Sequence, residues 1–196
     1  MSGGVGLADF HSHLVPGVDD GSRTLDEAMD GIRRMRNAGV TRITTTPHFR
    51  ASLTKDPPEL QKALEVMDEG WELIRDSAAE EWPDMDFRRG HEVLLDIPDP
   101  DLSDERLRLG GTPSVLVEWP RFQVPPGTPQ VLAGIVEKGL VPVVAHPERY
   151  SGIDGHLHVV RQWKEAGAFL QGNHGSLTGR YGPGPRALIQ RLLAEG

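Results

Sequence analysis

Histidines and carboxylates recur at one kind of place in this chain, the point where an apolar or β-branched run stops. His11 and His13 close the run from Leu7, and His48 follows Arg42–Thr46 across Pro47. His91 and Glu92 close Met85–Glu92, Glu118 follows Val115-Leu116-Val117, and His146 follows Leu140–Ala145. Asn173 and His174 stand just after Ala168–Gln171. Side chains two residues apart on a strand point the same way, so His11 and His13 can share one cation on a rigid backbone. A carboxylate such as Glu92 or Glu118 can bridge cations through its two oxygens. Carboxylates gathered without a positive counter-residue repel one another, and bound cations relieve that repulsion.

Each of these residues also has a plain structural reading. His48 suits a turn after Pro47, Glu118 a salt-bridged strand end, His146 a capped core imidazole. Asp19 and Asp20 in Gly17-Val18-Asp19-Asp20-Gly21 suit a turn. His156 and His158 fall in a helical stretch and read as surface residues. What favours metal chemistry is the repetition at one topological place. In parallel α/β folds the carboxyl ends of the strands are where ligands bind.

The elements that would position these residues are legible. Leu7–His11 reads as a strand. A helix then opens at the Thr24-x-x-Glu27 capping box, carries Leu25, Ala28, Met29, Ile32 and Met35 at helical spacing, and stops at Gly39. Leu60, Leu64, Met67, Trp71, Ile74 and Ala78 mark one apolar helical stripe after Pro57-Pro58. Thr128 as N-cap and Pro129 as first helical residue open a third helix that stops at Gly139. His156–Ala166 reads as a helix stopped by Gly167, and a last helix runs from about Pro185 to Glu195. Strand and helix alternating through short connections imply a parallel sheet, closed or open.

Composition narrows the chemistry. The chain has 196 residues, the size of one domain, with 37% hydrophobic residues and a net charge of -8. The acidic balance argues against broad nucleic-acid binding. Without cysteine there is no disulfide and no thiolate nucleophile, so any metal rests on His, Asp and Glu. No dinucleotide-binding or P-loop motif follows a strand. Neither a signal peptide nor a membrane-spanning run is present in the sequence, which sets the expectation of a cytoplasmic protein.

The segment His11-Ser12-His13-Leu14-Val15-Pro16-Gly17-Val18-Asp19-Asp20-Gly21-Ser22 resembles the opening of the polymerase-and-histidinol-phosphatase (PHP) family. It is most similar to bacterial manganese-dependent protein-tyrosine phosphatases of capsule and exopolysaccharide operons. The resemblance continues through Thr45-Thr46-Pro47-His48, Gly90-His91-Glu92 and Val117-Glu118-Trp119-Pro120. It extends to Val144-Ala145-His146-Pro147-Glu148-Arg149-Tyr150 and Gln171–Gly179, nearly the whole chain in order. It implies a distorted (β/α)7 barrel with a trinuclear metal centre, Mn2+ above Fe, Co, Zn or Mg. The ligands it implies are His11, His13, Asp20, His48, Glu92, Glu118 and His146. Arg149 matches an arginine that contacts phosphate. The implied activity is phosphomonoester hydrolysis without a phosphoenzyme, on the phosphotyrosine tail of a bacterial tyrosine kinase. The alternatives are a small-molecule phosphatase of the histidinol-phosphate type and a non-catalytic member that binds a partner kinase. The family's Asp-x-His motif on a last strand has no counterpart before Gly196, so the expectation is a barrel lacking that strand.

Overall fold

The computed structural model describes residues 6–153 and 157–195. These fall into two compact units, Met1–Val93 with Pro100–Thr112, and Leu94–Asp99 with Pro113–Gly196.

In the first unit, strand β1 (Leu7–Ser12) is followed by helix α1 (Leu25–Asn37), β2 (Val40–Thr45), β3 (His48–Arg50), α2 (Pro57–Glu81), β4 (Asp86–Arg89) and the start of β5 (Glu92–Leu94). The sheet order is β1-β2-β4, all parallel, with Ser12 opposite Thr45 and Thr45 opposite Arg89. That register brings the carboxyl ends of the three strands side by side. β3 pairs with β5, and Glu92 N donates to Pro47 O at 3.0 Å.

Two expected strands are broken. The run through Thr46 stops at Thr45, and His48 begins a strand of its own. Pro47 has no N–H to give a ladder, which accounts for the break. The run through Glu92 splits into β4 and β5 at Gly90-His91. Gly90 packs so closely on Leu109 and the Arg108 carbonyl that an added Cβ would lie 3.0–3.2 Å from them.

Helix α1 starts as expected at Thr24, whose side chain accepts from Glu27 N at 3.2 Å. The reciprocal half of the capping box is replaced. The Glu27 carboxylate accepts instead from Arg23 N and pairs with the Arg23 guanidinium. The core of this unit joins Leu14, Ala28, Ile32 and Ile43 to the α2 stripe of Trp71, Ile74 and Ala78. Leu60 and Met67 of that stripe are only half-buried. Burying each large side chain contributes roughly 1.5–3 kcal/mol, so this face is what fixes the sheet edge beneath the histidines.

In the second unit, β6 (Ser114–Glu118), α3 (Thr128–Glu137), β7 (Val141–Ala145), α4 (His158–Glu165), β8 (Phe169–Gln171), α5 (His174–Leu177) and α6 (Pro183–Glu195) follow in order. β6-β7-β8 are parallel neighbours, with Val117 opposite Val144 and Ala145 opposite Gln171. Helix α3 is capped by Gly127 in the left-handed region rather than by Thr128. Thr128 is free for another task, its hydroxyl accepting from Trp163 Nε1 at 2.8 Å in the core. Helix α4 starts at His158, and His156 lies outside the described residues.

The helix–Gly–strand regularity holds at Gly39, Gly139 and Gly167, with φ of 92, 79 and 93°. That left-handed conformation ends a helix at little cost only when no Cβ is present. The architecture is thus mixed α/β with parallel strands, and neither unit closes its strands into a ring among the described residues.

Candidate metal centre

β1 carries His11, and His13 stands one residue past its end, while Ser12 between them is buried. Glu92 opens β5 with 1% of its surface exposed. Its Oε2 lies 3.1 Å from His11 Nε2, 3.2 Å from His13 Nε2 and 3.3 Å from His48 Nδ1. A single carboxylate oxygen thus meets three imidazole nitrogens. Two overlapping ligand groups result, His11 with His13 and Glu92, and His13 with Asp20 and His48, each with donor atoms within 4.8 Å of one another.

The loop after β1 folds back to complete this cluster. Gly17 N donates to Ser22 O at 2.8 Å and Ser22 N to His13 O at 3.0 Å. Gly21 passes so close that an added Cβ would stand 2.3 Å from His13 O. The turn carries two aspartates with different fates. Asp20, the ligand implied by the resemblance, is 84% exposed with Oδ1 3.4 Å from His48 Nε2. Asp19, read from sequence as a turn former, has a side chain only 5% exposed. Its Oδ2 lies 2.6 Å from His13 Nδ1 and accepts from His48 N at 3.0 Å, while Oδ1 accepts from Gly21 N at 2.9 Å. A carboxylate on the outer nitrogen of an imidazole fixes the ring and raises its basicity toward a metal on the other nitrogen. Burial pulls the His13 pKa down, but Asp19 and Glu92 outweigh it and push it up to about 10. Two carboxylates against one imidazole thus favour positive charge at this place.

This donor set fits a divalent cation. It offers imidazole nitrogen and carboxylate oxygen, no sulfur, and donors already converged by hydrogen-bonded neighbours. His91 does not join it. The ring is buried and Nδ1 lies 2.9 Å from the Arg106 carbonyl, with burial holding its pKa down to about 4. It is a neutral core imidazole, and the strand-end reading of His91 is corrected.

In the second unit, Glu118 closes β6 and His146 follows β7, both buried, with His146 Nε2 3.8 Å from Glu118 Oε2. Each is tied by its backbone, Leu95 N to Glu118 O at 2.8 Å and His146 N to Gln171 O at 2.7 Å. His146 sits at φ 34°, a strained position for a residue with a Cβ. The turn Pro147–Arg149 follows it. His174 is the exposed first residue of α5.

Glu148 escaped the sequence reading. It is buried, and its Oε1 accepts from Asn173 N at 2.8 Å and from Ser176 Oγ at 2.7 Å, tying the His146–Arg149 turn to α5. The only signal for it was its place between two residues already singled out. The Arg149 guanidinium lies between two rings, 4.3 Å from the Phe122 centroid and 4.5 Å from that of Tyr181.

A parallel α/β scaffold with a histidine and carboxylate cluster at its strand ends defines a class of proteins that hold divalent cations for hydrolytic chemistry. Within that class, residues 7–196 match the family described as capsular polysaccharide synthesis, CpsB/CapC, and the chain belongs to it. The tyrosine-protein phosphatase YwqE of Bacillus subtilis is 30% identical over 189 residues, covering 95% of this chain and 72% of that protein. The putative tyrosine-protein phosphatase CapC of Staphylococcus aureus is 24% identical over 188 residues, with the same two shares, 95% and 72%. A crystal structure from the pair YwqE of B. subtilis and CpsB of Streptococcus pneumoniae, described as metal-dependent tyrosine phosphatases, matches with TM-score 0.74. Identity there is 26%, covering 96% of this chain and 74% of that one. Among the described residues no helix is long and apolar enough to cross a membrane.

Proposed function

We propose that this protein is a metal-dependent protein-tyrosine phosphatase that removes phosphate from a bacterial tyrosine kinase of capsule or exopolysaccharide synthesis, with Mn2+ as the working metal. The observation that carries this reading is Glu92 Oε2 at 3.1, 3.2 and 3.3 Å from His11, His13 and His48. The tyrosine phosphatase names of its relatives support the substrate class. The reading takes residues 1–196 as one PHP-type domain on the distorted (β/α)7 barrel plan, which the parallel orders β1-β2-β4 and β6-β7-β8 support. Its ligands are His11, His13, Asp20, His48 and Glu92 in the first unit and Glu118 and His146 in the second.

Divalent cations held there would make water a usable nucleophile near neutral pH and offset charge on the phosphoryl oxygens. The protein's own part is to hold the ligands in place, Asp19 orienting His13 and Glu148 steadying the turn that bears His146 and Arg149. Arg149 offers a bidentate clamp to phosphate oxygens. Lacking cysteine, the chain forms no cysteinyl-phosphate.

Elemental analysis of the purified protein with turnover of phosphotyrosine and histidinol phosphate tests this reading. His11→Ala and His13→Ala are each expected to lower bound metal and phosphotyrosine turnover together. Full metal content and turnover in both variants would exclude the shared site, and a preference for histidinol phosphate would move the substrate to the small-molecule class.

A further inference from the structure

Arg121 and Phe122, in the short turn Pro120–Phe122 after β6, both adopt left-handed backbone, with φ of 57 and 50°. Two successive residues with a Cβ are strained there, and such strain persists only where the surroundings impose it. They do impose it. Ser151 N and Ser151 Oγ both donate to the Phe122 carbonyl, at 2.8 and 3.1 Å, and Gln123 bridges to Ser151. The strain does not serve burial, because Phe122 remains 38% exposed. What the turn accomplishes is to stand the ring against the Arg149 guanidinium at 4.3 Å and against the His146 ring at 5.5 Å, edge-on.

Tyr181 closes the other side at 4.5 Å from the guanidinium and is also 38% exposed. The space it uses is kept open by Gly175, where an added Cβ would fall 2.7 Å from Tyr181 Cε2. The Tyr181 segment is held by Arg180 N donating to Gly175 O at 2.8 Å and Gly182 N to Gly179 O at 3.0 Å. Two aromatic faces thus lie against the guanidinium, and they attract the cation without using its N–H donors.

We propose that Phe122 and Tyr181 are specificity-determining residues that make the Arg149 site select aryl over alkyl phosphomonoesters. This rests on the phosphatase reading above and adds the origin of its substrate preference. A phosphate taken by the N–H groups of Arg149 would carry its ester group close to the two exposed rings. An aryl ester one bond beyond the phosphate oxygen finds aromatic partners for offset or edge-to-face contact. A serine or threonine ester offers a short alkyl group and leaves both rings in water. The flanking rings also restrict Arg149 before substrate arrives, which lowers the ordering cost of binding.

The test uses non-hydrolysable probes, phenylphosphonate and methylphosphonate, titrated calorimetrically into the Mn2+-loaded full chain. Wild-type protein is expected to bind the aryl probe roughly three- to tenfold more tightly, the margin of one or two aromatic contacts. Phe122→Leu and Tyr181→Leu should each shrink that ratio, the double variant should bring it near one, and Phe122→Tyr should retain it. An aryl-to-alkyl ratio near one in the wild type overturns the inference. So does a ratio that survives the double Leu variant, or failure of both probes to bind. Circular dichroism of each variant separates loss of the ratio from loss of the fold, and a variant that unfolds is replaced by Phe122→Met or Tyr181→Met, which keep bulk without a ring. Phosphotyrosine turnover is measured in parallel. Its absence with the binding ratio intact would count against the phosphatase reading while leaving the aromatic selection standing.

Discussion

Removing the Asp19 carboxylate is the most informative single perturbation of the metal centre, because this side chain touches two of the histidines without being needed as a ligand. Its oxygens serve His13 Nδ1 at 2.6 Å, His48 N at 3.0 Å and Gly21 N at 2.9 Å. Asp19→Ala orphans all of these groups. At about 1 kcal/mol net for each contact, the metal-free protein should lose about 3 kcal/mol. For a chain of this size that is a fall in Tm of roughly 6–12 °C. Asp19→Asn keeps one acceptor oxygen and the shape but removes the charge that orients and activates His13. Substitution of such an outer carboxylate typically weakens metal binding 10–100-fold, or about 1.4–2.7 kcal/mol. Calorimetric Mn2+ titration of the apo-protein and a thermal melt in chelator read the two effects separately. Asp20→Asn is the companion. Its carboxylate is 84% exposed and lies 3.4 Å from His48 Nε2, so Asp20→Asn should weaken metal binding while leaving the apo-protein melt unchanged. A metal affinity within twofold of wild type in Asp19→Asn, or an unshifted melt in Asp19→Ala, would refute the assignment of Asp19 as the residue that positions His13.

Three further expectations follow from named contacts. Arg149→Ala should lower phosphotyrosine turnover by on the order of 10²–10³, as loss of one electrostatic donor does, with metal content unchanged by elemental analysis; an unchanged rate would make Arg149 a packing residue. Gly21→Ala should cost both metal affinity and thermal stability, since the new Cβ would lie 2.3 Å from His13 O, and a variant matching wild type in both would show that the loop can move aside. The Arg106 side chain holds the Asp104 pKa below its usual value, which outweighs the opposing effect of burial. That stabilisation is present above the unfolded pKa of about 3.9 and is lost as pH falls through the folded value. Asp104→Asn should therefore be less stable than wild type at pH 7 and show a shallower acid limb in urea melts, and parallel acid limbs would contradict the pairing.

Which residues could meet was largely written in local sequence. The two-residue spacing of His11 and His13 at the end of β1 pointed to a shared side, since strand side chains repeat with a period of two. The helix stops at Gly39, Gly139 and Gly167 were equally local, because only a residue without a Cβ takes that backbone at little cost. From these, parallel α/β architecture with histidines and carboxylates near strand ends was legible. Tertiary structure decided what neighbouring residues of like type would do. Asp19 and Asp20 are identical in chemistry and adjacent, yet the fold-back of Ser22 onto His13 turns one inward and leaves the other in water. His91 and Glu92 are adjacent too, and the split at Gly90 sends the imidazole to the Arg106 carbonyl and the carboxylate to three histidines. The rings around Arg149 come from positions 122 and 181, far apart in sequence and without any periodic signal. A side chain's direction depends on backbone torsion at one residue, and that torsion is settled by contacts made with distant segments. Local pattern could name the candidates but not choose among them.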